Sequence, residues 1–413
     1  MRLTDAGAKS VSLDEIDLYG TELYRSGDPH AAWRTLRETA PVWRQEAPDG
    51  TPFWSVTRYR DVVDILRDTR RFSSEHSTML SVLERDTAAG QAIHLMDPPR
   101  HGQVRGATIS ALSIRVMRRH EPKIRERVAK LVAGAIAEGQ ADMAKLVTML
   151  PMLVAGELMG IPQDKWTEAA HWTVASMAPE DPAFSIGDEA ATLRAAHVFL
   201  FSMFIELIQD RRDEPGTDDL ISLLLGMEVD GRPATDEEVL VNCYAFIMGA
   251  NPTIPQASSH LVLTMAENPD LWRRIREADR STLPLTLEET LRWSSPVNHL
   301  LRRTTQEVEL GGHVIPEGGL VAAWIGSANR DEEIFADPYT FDPVRSPNQH
   351  VAFGFGSHRC IGNSPAQTGV QLLLEELVEQ VELFELAGEP RHLGSNFLNG
   401  ITHLPVTLHP NKG

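Results

Sequence analysis

Residues 353–362 read FGFGSHRCIG and hold Cys360, one of only two cysteines in a chain of 413 residues. Three glycines, a histidine and an arginine surround this single thiol. A cysteine just before a helix lies where backbone N–H groups point outward and the helix dipole favours negative charge, so the thiolate form is favoured. The glycines allow the backbone to approach closely whatever the sulfur binds.

A lone thiolate of this kind has few chemical uses. A structural zinc site needs four ligands, and a nucleophilic cysteine needs a nearby base, which His358 cannot easily be from two residues away. A thiolate can also serve as the single axial ligand of a haem iron. Taken alone, the stretch leaves open a haem ligand, a nucleophile or an inert buried cysteine.

Composition excludes several classes of protein. The chain is 42% hydrophobic and carries a net charge of −19, which argues against nucleic acid as a partner. Two cysteines cannot build a disulfide framework, and no uninterrupted apolar run approaches the roughly 18 residues that a membrane span needs. The polar start of the chain is not that of a signal peptide. We therefore expect a cytoplasmic protein with no membrane partner.

One basic island interrupts this acidic chain. Residues 115–130 read RVMRRHEPKIRERVAK and hold seven lysines or arginines against two glutamates. Such a stretch is either a solvated helix face or a docking patch for an acidic partner, whose attraction would weaken with salt.

Hydrophobic periodicity predicts a mainly α-helical chain with a smaller β portion. Residues 52–59 read as a strand and 60–68 as a short helix. Capping boxes start two helices, at Thr235 with Glu238 and at Thr286 with Glu289. No flexible linker divides the chain, which indicates a single domain over residues 1–413. Its predicted β-containing parts are about residues 30–75 and 300–330, and its helical parts about 80–295 and 360–385.

The cysteine stretch resembles the loop F-G-x-G-x-H-x-C-x-G of the cytochrome P-450 family, the haem-thiolate monooxygenases. Further motifs of that family follow in the same order as in its members. Glu289 and Arg292 match E-x-x-R, His101 and Arg105 match H-x-x-x-R, and LRRTTQEVELGG matches a segment that brings an arginine to the haem. The resemblance covers nearly the whole chain and is to the soluble bacterial type. It implies a fold that holds haem b between the central helix and the helix after the cysteine loop.

The resemblance also implies roles for individual residues. Cys360 would ligate the iron, with Phe353 and Gly354 beside the sulfur. Glu289 and Arg292 would form a structural ion pair that supports the cysteine loop. The residues expected to neutralise the haem propionates are His101, Arg105, Arg302 and His358.

The central helix departs from the family pattern in FIMGANPTIPQASSH, residues 246–260. Relatives carry an acid and an alcohol here that relay protons. Aligned on Gly249, those positions hold Asn251 and Pro252, and Thr253 follows one residue late. Proline lacks an N–H and clashes with the preceding turn, so Pro252 and Pro255 predict a broken or kinked helix with free carbonyls.

Three outcomes of the reaction remain open. Ordinary hydroxylation would use water held by Asn251, Thr253 and the free carbonyls as the catalytic relay. Use of peroxide is disfavoured, because peroxide-using relatives place an arginine where Asn251 stands. Slow rebound would instead give oxidative coupling or ring closure, with a new C–N or C–C bond and no oxygen inserted.

The resemblance therefore implies a monooxygenase that oxidises a medium-sized, mostly apolar natural-product intermediate, as part of secondary metabolite biosynthesis. It would use O2 and electrons from a ferredoxin and a ferredoxin reductase. A non-catalytic haem-binding sensor and a thiol-dependent hydrolase using Cys360 are the rival classes. Asn298, His299 and Asn399 are candidate polar contacts. The pocket residues expected from fold analogy are Ala245, Gly249, Val297, Leu300, Phe397 and Leu398.

Overall fold

The structure is mainly α-helical with a smaller portion of short strands, as the sequence predicts. A computed structural model describes residues 11–26, 28–214 and 219–411. The helices are α1 (Glu22–Arg25), α2 (His30–Thr39), α3 (Tyr59–Arg67), α4 (Arg100–Thr108), α5 (Ile114–Glu138), α6 (Met143–Leu146), α7 (Glu157–Met159), α8 (Trp166–Met177), α9 (Glu189–Asp213), α10 (Leu220–Leu225), α11 (Asp236–Ala250), α12 (Ile254–Glu267), α13 (Pro269–Glu277), α14 (Leu283–Ser294), α15 (Ile325–Ala328) and α16 (Asn363–Gln380). The strands are β1 (Val42–Glu46), β2 (Pro52–Val56), β3 (Phe72–Ser73), β4 (Gln140–Asp142), β5 (Glu228–Val229), β6 (Arg232–Pro233), β7 (His299–Thr304), β8 (Val308–Leu310), β9 (His313–Ile315), β10 (Leu320–Trp324), β11 (Val381–Leu386), β12 (Arg391–His392), β13 (Ile401–His403) and β14 (Pro405–Pro410).

The chain divides into two compact units. Unit 1 comprises Met1–His101, Leu291–Cys360 and His392–Gly400. Unit 2 comprises Gly102–Thr290, Ile361–Arg391 and Ile401–Gly413. Each unit draws on distant parts of the sequence, and a single domain over residues 1–413 stays a prediction.

A five-stranded sheet in the order β1-β2-β10-β7-β3 organises unit 1. β10 pairs in parallel with β2 and antiparallel with β7. Its sequence LVAAW is buried at every position, as expected of a central strand whose two faces are both covered. Tyr24 stacks on Trp324 at a ring-centroid distance of 6.3 Å, and Trp33 lies 5.8 Å from the same ring. This aromatic packing fixes β7, the strand that carries Arg302.

Helices and a small sheet in the order β11-β14-β4 form unit 2. Along α5, Ile124, Val128 and Val132 recur at helical spacing and are fully buried. The stripe is the one expected of an amphipathic helix, so the basic residues of α5 lie mainly on its other faces.

The predicted break in the central helix is confirmed. α11 ends at Ala250, and α12 begins at Ile254. Pro252 and Pro255 have no N–H to donate, so the carbonyls of Met248 and Asn251 lose the bonds that would continue the helix. The start of α11 is also as predicted: the Glu238 N–H donates to Thr235 Oγ1 at 3.2 Å, and the Thr235 N–H donates to Glu238 Oε2 at 2.8 Å.

The second predicted capping box is wrong. α14 begins at Leu283, so Thr286 lies inside the helix, and its carbonyl accepts a bond from the Thr290 hydroxyl at 2.8 Å. Pro284 occupies the first turn, where a missing N–H costs nothing. Glu289 is therefore in mid-helix and not at a cap.

α9 is the one helix in the described part of the chain that is long and apolar enough to be a membrane-span candidate. Its best window has a mean hydropathy of 1.5, and 39% of that window is buried in the protein. The core helix of a soluble protein meets the same criteria of length and composition.

Candidate haem-thiolate site

The cysteine loop presents one accessible thiol. Cys360 is partly exposed, and its N–H donates to the Phe353 carbonyl at 2.8 Å, which closes the loop. Gly354 and Gly356 have φ of +68° and +70°, a region that side chains disfavour. A Cβ on Gly356 would also meet the Leu66 carbonyl oxygen at 2.7 Å, so this glycine is required twice over.

The other cysteine has a different environment. Cys243 lies fully buried in α11, and burial raises the pKa of its thiol far above the ordinary value. A thiol that stays protonated is neither a metal ligand nor a nucleophile. Cys360 is therefore the thiolate candidate.

Arg302 carries a positive charge that is buried in the fold. Its side chain, on β7, is 2% exposed, and burial lowers its pKa to about 10. Within the described residues its one side-chain hydrogen bond goes to the Leu301 carbonyl at 2.8 Å, and no carboxylate lies within ion-pair distance. Asp97 is close enough only to raise the pKa slightly against the effect of burial. A guanidinium buried in this way fits a site that receives a carboxylate.

Two histidines lie together in unit 1. The rings of His101 and His358 stack with centroids 4.0 Å apart and planes inclined by 34°. His101 is 3% exposed, and Arg105 follows it by one turn of α4. Both histidines belong to the set that the resemblance assigns to the haem carboxylates.

The donor set fits haem better than a free metal ion. No group of three or more histidine, cysteine, aspartate or glutamate side chains suited to a metal occurs among residues 11–26, 28–214 and 219–411. A partly exposed cysteine that shares unit 1 with a buried arginine and two packed histidines instead suits a group that carries its own metal ligands and two carboxylates.

Three buried arginines, Arg292, Arg330 and Arg345, donate hydrogen bonds to backbone carbonyls within unit 1. Arg292 is fully buried, and its Nη1 donates to the carbonyls of Asn329 and Pro338, both at 2.9 Å. Arg330 donates to the Arg292 carbonyl at 2.7 Å, and Arg345 donates to the carbonyl of Ala336 at 2.6 Å. Arg330 and Arg345 both lie in residues 328–345, ANRDEEIFADPYTFDPVR. Glu289, on the same helix as Arg292, is also fully buried.

The break in the central helix separates the two predicted relay residues. Thr253 is partly exposed, and its hydroxyl donates to the Gly249 carbonyl at 2.9 Å. Gly249 itself is exposed, and a Cβ there would meet nothing within 4 Å. Asn251 is only 1% exposed, and its amide donates to Met152 Sδ at 3.2 Å. We expected both side chains to hold water, and that role stays a prediction: Thr253 is the more accessible of the two, and the buried Asn251 Oδ1 has no hydrogen-bond partner among the described residues.

The expected pocket residues also divide by exposure. Val297, Leu300 and Phe397 are partly exposed and available to a ligand. Leu398 is fully buried, because it bridges to Val297 in an antiparallel pair, and Ala245 is 8% exposed. Leu398 therefore supports the pocket and does not line it, contrary to expectation.

Of the polar candidates, His299 uses both ring nitrogens in hydrogen bonds within the protein. Its Nε2 accepts from the Leu80 N–H at 3.0 Å, and its Nδ1 donates to the Asn396 carbonyl at 3.0 Å. Burial lowers the pKa of His299 to about 4, so the ring stays neutral. Asn399 donates to the Ser294 carbonyl and is half-buried, and its role as a substrate contact stays a prediction.

Known proteins resemble this chain over nearly its full length. The family model "Cytochrome P450" matches residues 170–402. A linalool 8-monooxygenase of Pseudomonas putida is 32% identical over 96% of this chain and 100% of its own. The chain belongs to the cytochrome P450 family.

Solved P450 structures have the same fold as this chain. The crystal structure of P450 OxyD, involved in the biosynthesis of vancomycin-type antibiotics, is 31% identical and superposes with a TM-score of 0.86, covering 96% of this chain and 100% of that one. CYP268A2 of Mycobacterium marinum in complex with pseudoionone is 28% identical with a TM-score of 0.87, covering 97% and 100%. The protein is therefore a P450 oxidoreductase whose family uses haem b with a cysteine thiolate as axial ligand.

Proposed function

We propose that this P450 inserts one oxygen atom into a medium-sized, mostly apolar substrate of natural-product metabolism, with Cys360 as the axial ligand. One observation carries the proposal: an accessible thiol on a glycine loop shares unit 1 with a buried arginine that lacks a carboxylate partner among the described residues.

Each residue of the site has a definable task. Haem, when bound, supplies the oxidising chemistry. Cys360 would supply the thiolate, and Arg302, His101, Arg105 and His358 would hold the haem carboxylates by charge-assisted hydrogen bonds. Thr253 holds a proton on Oγ1, which now donates to the Gly249 carbonyl and can turn toward a bound water.

The substrate class rests on the accessible side chains and on the relatives. Val297, Leu300 and Phe397 are apolar and partly exposed, which suits a hydrocarbon skeleton. One similar protein is named for linalool and another was solved with pseudoionone, both acyclic isoprenoids that carry a single oxygen. We propose an oxygenated terpenoid of similar size as the substrate.

A ferredoxin is the proposed electron donor, and we propose that it docks at the start of α5. Lys123 and Arg127 both pair with Glu157, and other cations of the basic island also have partners within unit 2. Arg115 and Arg118 have no carboxylate partner among the described residues. Exposed Ile114, at 63%, lies beside them at the start of α5. The start of α5, where an apolar side chain lies next to free cations, is therefore a better docking site for an acidic protein than the rest of the basic island, whose cations are paired.

Oxidative coupling or ring closure is the second candidate. It is favoured by the helix break, where residues 249–255 hold no carboxylate to relay protons. In that outcome the substrate would lose two hydrogens to form the new bond, and the oxygen would leave as water and not enter the product.

Spectral titration followed by turnover tests these proposals. The protein would be titrated with linalool, pseudoionone, macrolactones and tryptophan-derived dipeptides while the Soret band is followed. Turnover with ferredoxin and its reductase then decides the outcome by mass. One added oxygen supports the proposal, and loss of two hydrogens supports coupling. Tight haem without any electron-driven product would instead support the sensor.

A further inference from the structure

Asp97 is a half-buried carboxylate that joins the end of β3 to the start of α4. Its Oδ1 accepts a hydrogen bond from the Ser74 N–H at 3.0 Å, and its Oδ2 accepts one from Ser73 Oγ. Its backbone carbonyl accepts from the His101 N–H at 3.1 Å, which closes the first turn of α4. The side chain is thus bonded to one element and the main chain to the other, so Asp97 holds the two together.

The local sequence leaves this carboxylate available to bond outside its own helix. An aspartate just before a helix ordinarily accepts from N–H groups two or three residues later. The two residues that follow Asp97 are Pro98 and Pro99, which have no N–H to donate. The donors come instead from Ser74 and Ser73, which lie 23 and 24 residues earlier in the chain. The carboxylate is therefore a tertiary link between distant segments and not a local helix cap.

The strand that Asp97 binds is the neighbour of the strand that carries Arg302. Ser73 of β3 pairs with Arg303 of β7, the residue after Arg302, in an antiparallel register. Burial lowers the pKa of Arg302, and Asp97 is close enough for its charge to raise that pKa in part. Asp97 therefore connects His101, at the start of α4, to the sheet that positions Arg302.

We propose that Asp97 is a positioning residue for haem, whose carboxylate fixes His101 relative to Arg302 so that both can bond to the haem carboxylates. The inference rests on the roles given to these two residues under the proposed function and is independent of the substrate. A binding side chain contributes fully only when its surroundings hold it within about 0.5 Å of the productive geometry. Hydrogen bonds to a charged group are among the stronger links that can do so.

Transfer of haem to apomyoglobin measures the effect of variants at position 97. Asp97→Ala loses both side-chain hydrogen bonds, so the holoenzyme should release haem about 10-fold faster, the usual worth of one hydrogen bond to a charged group. Asp97→Asn keeps an acceptor for the Ser74 N–H and gains an amide donor for Ser73 Oγ, so it should release haem within about 2-fold of the wild-type rate.

Asp68 provides a matched control in the same unit. Its Oδ1 accepts from the N–H groups of Arg70 and Arg71 at 3.1 and 3.2 Å, and its Oδ2 accepts from Arg71 Nε at 2.6 Å. These bonds resemble those of Asp97, but they stay within the segment that leads into β3. Urea unfolding should show that Asp68→Ala and Asp97→Ala destabilise the apoprotein to a similar extent. Of the two, only Asp97→Ala should speed the release of haem.

A double variant tests whether Asp97 acts through His101. His101→Ala should speed the release of haem by itself, and adding Asp97→Ala should then change the rate little, because the side chain that Asp97 positions is gone. Equal effects of Asp97→Ala in the wild-type and His101→Ala backgrounds would overturn the proposal. So would a wild-type rate in Asp97→Ala, faster release in Asp68→Ala, or an Asp97→Asn variant that releases haem as fast as Asp97→Ala.

Failure of the proposed haem contacts would look different. If His101→Ala releases haem at the wild-type rate, His101 does not hold a haem carboxylate, and both that role and the role of Asp97 fall. If His101→Ala releases haem faster and Asp97→Ala does not, the role of His101 stands and only the role of Asp97 falls.

Discussion

Replacing Arg302 by methionine should stabilise the haem-free protein and weaken its retention of haem. In the fold its pKa falls from 12.5 to about 10 because the guanidinium is buried. At roughly 1.4 kcal/mol for each pH unit, the charged form costs about 3 kcal/mol more in the fold than in water. Arg302→Met removes that cost and loses one hydrogen bond to the Leu301 carbonyl, worth about 1 kcal/mol. The apoprotein should therefore gain about 2 kcal/mol of stability.

Haem retention should change in the other direction. A haem carboxylate that loses a charged hydrogen-bond partner loses about 1.5–3 kcal/mol, so haem should dissociate roughly 10- to 100-fold faster. Urea unfolding followed by tryptophan fluorescence measures the first effect, and transfer of haem to apomyoglobin measures the second.

Arg303→Met is the matched control for this pair of measurements. Arg303 is the next residue on β7, but it is exposed and contacts His76 Nδ1 at 3.0 Å. Its replacement should leave haem transfer unchanged and alter stability by less than about 0.5 kcal/mol. A destabilised Arg302→Met apoprotein whose holo form releases haem at the wild-type rate would refute the reasoning.

Three further predictions concern pH, proton delivery and docking. The pKa of His299 is near 4 in the fold and ordinarily 6.5, so the unfolded chain binds a proton before the folded chain does as the pH falls. The free energy of unfolding should therefore be about 3 kcal/mol lower at pH 4 than above pH 6.5 because of His299. Urea unfolding of wild type and His299→Gln across that range should differ by this amount. Thr253→Ala should raise the number of electrons consumed per product molecule several-fold, and Thr253→Ser should not. Asn251→Ala should lower the free energy of unfolding by about 1 kcal/mol without changing that number. Measuring electron consumption against product yield checks both. Arg118→Glu should slow reduction by ferredoxin at least about 10-fold at low salt, with a smaller difference at high salt. Lys130 is paired with Glu126, so Lys130→Glu should change the reduction rate less. Stopped-flow measurements of the reduction rate check both.

Local chemistry made parts of this structure predictable. Proline has one possible effect on a helix that needs its N–H, so Pro252 and Pro255 placed the break between α11 and α12 correctly. The mainly helical architecture followed in the same way from periodicity over long segments.

Long-range packing decided what the sequence could not. Nothing local distinguishes Asn251, packed on Met152 a hundred residues away, from the accessible Thr253 two positions later. The same applies to His299, whose ring is engaged by Leu80 and Asn396. In each case the partner comes from a distant segment, so spacing along the chain carries no signal.

The role of Cys360 is the central claim, and the carbon monoxide complex of the reduced protein tests it most directly. Wild-type protein should show the long-wavelength Soret band that thiolate ligation gives, and so should Cys243→Ser. Cys360→His should bind haem but lose that band, because the imidazole replaces the thiolate. A thiolate-type band that survives in Cys360→His, or disappears in Cys243→Ser, would contradict the account.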